Sequence, residues 1–191
     1  VRLGVFGGSF DPVHLGHLIV AQAAAARLAL DQVRLVPAGL QPFKREGPVA
    51  AGRDRLAMLT LALAGDTRLV ADDRELRRPG PSYSIDTLRE LRAAYPDAEL
   101  CLLVGADAAG DIAHWHEADA IPALARVVAL TRPGRPVPNH ALIAETVVVP
   151  AIDISATDVR ARCRRGESLR YLVPEAVARY IAERRLYVED D

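Results

Sequence analysis

Lysine is almost absent from this chain: Lys44 stands alone, and arginine supplies the other 23 of its 24 basic residues. A coding bias towards arginine accounts for the depletion and draws attention to the lysine that survives. Cysteine is equally scarce. Cys101 lies in an apolar run and Cys163 in a basic one, a placement that fits neither a disulfide framework nor a metal-ligand spacing. No surplus of positive charge exists either. The 24 basic residues face 25 acidic ones, for a net charge of −1, which argues against a protein whose main business is wrapping nucleic acid. Long apolar runs are missing too. The longest, Leu18 to Leu30, is interrupted by Gln22 and Arg27, short of the ~20 residues of a membrane span. No charged-then-apolar leader opens the chain. The expectation is a soluble, cytoplasmic protein without membrane or nucleic-acid partners.

What is present is an alternation. Its 191 residues suit one domain, 1–191, able to bury a core without staples. Short apolar runs at Arg2–Phe6, Val33–Pro37, Arg68–Asp72, Glu99–Val104, Ala125–Leu130 and Thr146–Val149 read as strands. Between them, helical spacing recurs over Gly16–Leu30, Gly52–Leu63 and Ile85–Tyr95. Stretches rich in glycine and proline, Ala38–Pro48 and Arg77–Pro81, read as loops. The last forty or so residues read as helices and a short tail. The alternation predicts an α/β fold, Rossmann-like and doubly wound, with a mostly parallel sheet and a C-terminal helical segment. Ligands of such sheets bind beyond the carboxyl ends of the strands.

One such end carries Gly7-Gly-Ser-Phe-Asp-Pro-Val-His-Leu-Gly-His17. Paired glycines let a phosphate approach the main chain, and the helix that follows presents its positive end. The spacing is neither that of a dinucleotide fingerprint nor that of a Walker loop. His14 and His17, three apart, can point to one side and donate hydrogen bonds to developing negative charge. Two satisfied histidines at a capped helix are the plain alternative. A second signal is Ile154-Ser-Ala-Thr-Asp-Val-Arg160. Ser155 with Asp158 resembles a capping box. Capping does not explain Arg160, a cation in the first turn where the helix dipole disfavours it. A bound polyphosphate would.

These residues together resemble the HxGH nucleotidyltransferase superfamily and, within it, the bacterial nicotinate-nucleotide adenylyltransferases. The likeness runs from Leu3 to about Tyr187 and includes Pro42-Phe-Lys44, Ser82-Tyr-Ser-Ile-Asp-Thr-Leu88, Gly105-Ala-Asp107 and Trp115. Many members have a histidine between the proline and the lysine, where this chain has Phe43. The resemblance implies transfer of the adenylyl group of ATP to nicotinate mononucleotide, giving deamido-NAD and pyrophosphate, with Mg²⁺ accompanying ATP. His14, His17 and Lys44 would be catalytic. Gly7, Gly8, Ser9, Phe10, Gly105, Asp107, Ser155, Thr157 and Arg160 would bind ATP, with Asp107 as a helix cap the plain alternative. Lys44, Tyr83, Ser84, Thr87, Trp115 and Arg132 would meet the mononucleotide; Ser84 and Thr87 as a helix cap, Trp115 as core and Arg132 as a solvated turn are the alternatives there. No protein side chain is assigned to metal. A homo-oligomer stays open. Rival readings are a sister transferase using nicotinamide mononucleotide or phosphopantetheine, and a non-catalytic adenine-nucleotide sensor.

Overall fold

A computed structural model of the chain describes residues 1–40, 47–135 and 139–188. Lys44 therefore lies outside the described residues. Six strands form one all-parallel sheet in the order β3-β2-β1-β4-β5-β6. They are β1 (Arg2–Gly8), β2 (Gln32–Pro37), β3 (Leu69–Ala71), β4 (Glu99–Gly105), β5 (Arg126–Thr131) and β6 (Glu145–Val148). The order reverses at β1, between β2 and β4, and this is where a doubly wound sheet opens a crevice.

The central strands are buried on both faces, so their sequences show unbroken apolar runs. In β4 the period of two survives only as a division of labour. Cys101 and Leu103 join a core with α1 (Leu15–Arg27) and α2 (Gly52–Ala62). Leu100, Leu102 and Val104 join another built on Ile85, Leu88 and Leu91 of α4 (Ser84–Ala94). The last helices, α7 (Ala156–Arg164) and α8 (Glu175–Arg184), contribute Val159, Val177 and Ile181 to the first core. Glycine at position 4 keeps this layer close: a Cβ there would sit 2.8 Å from the Leu30 side chain and 3.1 Å from Val33.

All six expected strands are present, with ends shifted by a residue or two. The expected helix Gly16–Leu30 is shorter, because Leu28 closes it and Ala29 turns left-handed at φ 49°. Short helices were not expected: α3 (Arg74–Arg77), α5 (Ala106–Gly110) and α6 (Ile121–Leu124), with 3-10 turns at Ile112–His114 and Ala118–Ala120. Pieces of three to five residues are too short to show a helical period. Among the described residues, no helix is long and apolar enough to cross a membrane.

Candidate active site

The crevice beyond the carboxyl ends of β1, β2 and β4 is lined by Gly7 and Gly8, by Ala38 and by Gly105. Its far wall is Ser82, Tyr83, Ser84 and Thr87 around the start of α4, and Trp115 and His116 also line it. Gly7 faces open space, with nothing within 4 Å of an added Cβ. Its missing side chain leaves room for a ligand against the main chain.

Past Gly8 the chain tightens. Phe10 has φ 45° and a fully buried ring, a left-handed conformation that a bulky residue holds only where its surroundings fix it. That ring packs edge-on against Phe6 and His17. His14 caps α1 and its backbone amide donates to His17 Nδ1 at 3.2 Å. The two imidazoles stack with centroids 3.7 Å apart. Gly16 lies beneath them: a Cβ there would sit 3.0 Å from the His14 ring, so the glycine between the histidines is set by their packing. Burial pushes the His14 ring down from its ordinary 6.5 to about 4. Burial, and then the neighbouring His14, push His17 down to about 3. Both rings are therefore neutral at pH 7. Since Nδ1 of His17 accepts, its proton resides on Nε2, a donor. His14 Nδ1 is buried without a partner.

The second motif folds against the first. Ser155 caps α7, accepting from the Asp158 amide at 3.1 Å, and its hydroxyl donates to the Asp158 carboxylate at 2.6 Å. Arg160 is not left as an unexplained cation. Its Nη1 donates to the Asp11 carbonyl at 2.7 Å and its Nη2 to Thr157 Oγ1 at 3.3 Å. An intramolecular partner thus accounts for part of what the sequence reserved for polyphosphate, while three of its five N–H groups remain beyond those two bonds.

Other expectations need correction. Ser84 and Thr87 do not cap α4; the capping residue is Tyr83, and it makes no side-chain cap bond. Thr87 is buried and its hydroxyl donates to Glu75 Oε1 at 2.7 Å, so it shapes the wall through Glu75. Asp107 is not a cap, because Gly105 occupies that position. Its side chain is 95% exposed and meets Arg135 at 3.4 Å. Arg132 is not on the crevice wall; it is exposed and opens the turn after β5, where its carbonyl accepts from the Arg135 amide.

Two wall residues, Glu75 and His116, escaped the sequence reading, and Ser82 was named there only within its motif. Glu75 is buried, and its carboxyl is pushed up by burial against the opposing pull of Thr87 and Arg78. Ser82 Oγ accepts the Gly39 amide at 3.1 Å. A Cβ on Gly39 would come within 2.6 Å of the Glu75 carbonyl, so glycine is required for β2's exit to lie against this wall. His116 stacks on Tyr83 at 4.3 Å. Only its adjacency to Trp115 could have signalled it. Among the described residues, no group of three or more His, Cys, Asp or Glu could hold a metal ion.

Residues 5–162 match the family model described as cytidylyltransferase-like. The chain is 46% identical, over 98% of its own length and 100% of the other's, to a probable nicotinate-nucleotide adenylyltransferase of Thermus thermophilus. It is 43% identical to one of Thermomicrobium roseum, over 97% and 91% of the two lengths. Its fold superposes on the Plasmodium falciparum nicotinic acid mononucleotide adenylyltransferase complexed with NaAD with a TM-score of 0.77, covering 97% of each chain at 16% identity.

Proposed function

Because the chain belongs to the cytidylyltransferase-like family and is related over nearly its whole length to nicotinate-nucleotide adenylyltransferases, we propose that it joins ATP and nicotinate mononucleotide into deamido-NAD and pyrophosphate. The observation that carries the reading is the meeting of two anion-binding segments 149 residues apart, through Arg160 and the Asp11 carbonyl. Gly7 and Gly8 of the first segment line a crevice with an aromatic, hydroxyl-lined far wall, whereas Ser155, Thr157 and Arg160 are not among its lining residues.

In this reading a 5′-phosphate oxygen of the mononucleotide attacks the α-phosphorus of ATP in line. A new P–O bond forms, the bond to the β-phosphate oxygen breaks, and its electrons leave with pyrophosphate. The attacking phosphate is already ionised at pH 7, so neither a protein nucleophile nor a general base is required. The chain's own work is positioning and charge stabilisation. Gly7, Gly8, Ser9 and Phe10 would present the main chain to phosphate. His17, with its proton on Nε2, would donate to an oxygen that gains charge, and the unpartnered His14 Nδ1 could be satisfied there. Ser155, Thr157 and Arg160 would hold the β- and γ-phosphates, and Lys44 would join from its loop. Gly105 and Asp107 would meet the adenosine side. Tyr83, Ser84 and Trp115 would take the pyridine, with Thr87 acting behind them through Glu75. Mg²⁺ accompanying ATP would offset the negative charge that builds on the departing pyrophosphate. The cytoplasm is the proposed location.

Pyrophosphate release, followed with ATP and each of nicotinate mononucleotide, nicotinamide mononucleotide and phosphopantetheine, tests the assignment. Fast release with the acid is expected. A preference for either other acceptor, or no release with any, overturns it. Arg160→Ala is expected to weaken ATP binding by about ten- to a hundredfold, the worth of a charge-assisted hydrogen bond, while AMP is little affected. Calorimetry with both nucleotides checks this; equal losses would assign Arg160 to the fold alone.

A further inference from the structure

Asp11 gathers more of the chain than any role in phosphate binding requires. Its carboxylate is 3% exposed as a residue, yet it accepts the Val49 amide at 2.7 Å, the Ala50 amide at 3.1 Å and the Tyr187 hydroxyl at 2.7 Å. Its carbonyl takes Arg160 Nη1 at 2.7 Å, and its Oδ2 lies 4.0 Å from the same nitrogen. Arg55, also buried, braces the neighbouring main chain through the Ser9 carbonyl at 2.8 Å and the Ala50 carbonyl at 3.2 Å. Three donors hold the Asp11 side chain, and with it the Cα from which the carbonyl extends to Arg160. The carbonyl that orients Arg160 is thereby fixed before any ligand arrives. Tyr187 is the part of this arrangement farthest away in sequence, 176 residues from Asp11. Burial and the Asp11 carboxylate push its hydroxyl upward, so it remains a donor across the working pH range.

We infer that Tyr187 and Asp11 are positioning residues for Arg160: the tyrosine fixes the Asp11 side chain, whose carbonyl aims the guanidinium at the β- and γ-phosphates. This rests on the phosphate-binding reading of Arg160 given above. Rigidity supplied in advance reduces the ordering cost of binding, so its loss falls on ATP and spares AMP.

The test is a double-mutant cycle on the full chain, with Tyr187→Phe, Arg160→Ala and the pair, measuring ATP and AMP by calorimetry and KM for both substrates. Tyr187→Phe keeps the ring in its core site, and Asp11 retains two main-chain donors, so the variant folds. It is expected to weaken ATP about three- to tenfold, in the lower range for members of one hydrogen-bond network. AMP binding and the mononucleotide KM stay within about twofold. In the Arg160→Ala background the tyrosine substitution should add no further loss for ATP. Additive losses, equal losses for ATP and AMP, or unchanged ATP binding would each overturn the inference. If Arg160→Ala alone leaves the preference for ATP over AMP intact, the phosphate role of Arg160 itself falls, and the two failures are told apart.

Discussion

His17→Ala lowers kcat by about a hundredfold or more and changes ATP affinity far less. The expected size is that of removing one oxyanion donor aimed at developing charge. The split follows because the bond from His17 strengthens only as charge builds in the transition state. Two further substitutions separate the donor from the cap. Asparagine can accept the His14 amide, as Nδ1 does now at 3.2 Å, but it places nothing at the position of Nε2. Glutamine can reach that position with an N–H. Steady-state kinetics should therefore show His17→Asn nearly as impaired as His17→Ala, and His17→Gln partly restored. Near-normal turnover in a folded His17→Asn would remove the ring from the chemistry.

The same two histidines make stability depend on acid. Their rings titrate at about 4 and about 3 in the fold, against about 6.5 in an unfolded chain. Between those values the unfolded chain binds more protons, so their stabilisation is complete above about pH 6.5 and is lost as the pH falls towards 4 and 3. The thermal midpoint should drop from pH 7 to pH 5, and less steeply in His17→Asn.

The strands and long helices were legible because each spans enough residues to show a period or an apolar run, as β4 does over Glu99–Gly105. The segment Gly7–His17 was legible as a candidate phosphate loop because its glycines, histidines and serine are contiguous. Glu75 was not, since it belongs to a four-residue helix and meets Thr87 only after α3 and α4 pack together. Asp11 was visible as a letter of the motif. Its partners Val49, Ala50, Arg160 and Tyr187 come from three distant segments, and no local pattern announces such a meeting. The partner that Arg160 finds within the chain was hidden for the same reason: its carbonyl lies 149 residues back.

A second large effect concerns the acid against the amide. Nicotinate and nicotinamide mononucleotides differ by a carboxylate in place of a carboxamide. Fixed N–H donors suit the carboxylate, whereas an amide turns its own NH₂ towards one of them. At α4 the amides of Asp86 and Thr87 turn back to the Tyr83 carbonyl, and helix geometry leaves those of Ser84 and Ile85 without an intrahelical acceptor. The dipole contributes roughly 0.3–1 kcal/mol and a charged hydrogen bond about 1.5–3 kcal/mol. Together, at 1.4 kcal/mol per decade, they give roughly twenty- to seven-hundredfold in kcat/KM favouring the acid. Ser84→Ala should keep most of this preference. Proline at Ile85 would be a poor probe, because that side chain is fully buried. Ser84→Pro is the better one: position 84 opens the helix, where proline is tolerated, and Tyr83 before it is already extended at φ −105°, ψ 136°, as a residue preceding proline must be. It removes one amide and should erode the preference. Equal use of both mononucleotides by the unsubstituted protein would transfer the assignment to the amide-using sister activity.

The hydrogen bond from Tyr187 to Asp11 also bears on how the protein should be handled. Val1 lies at the amino ends of the strands, where its carbonyl accepts the Glu99 amide and its side chain is exposed. Residues 2–6 of β1 separate it from Gly7, about 20 Å of extended chain. An affinity tag fused ahead of Val1 emerges at the end of the sheet away from the crevice. One fused after Asp191 follows Tyr187 by only a few residues, close to the hydrogen bond with Asp11. Ligand affinities compared between preparations are therefore best taken from amino-terminally tagged protein, with the carboxyl end left as it is.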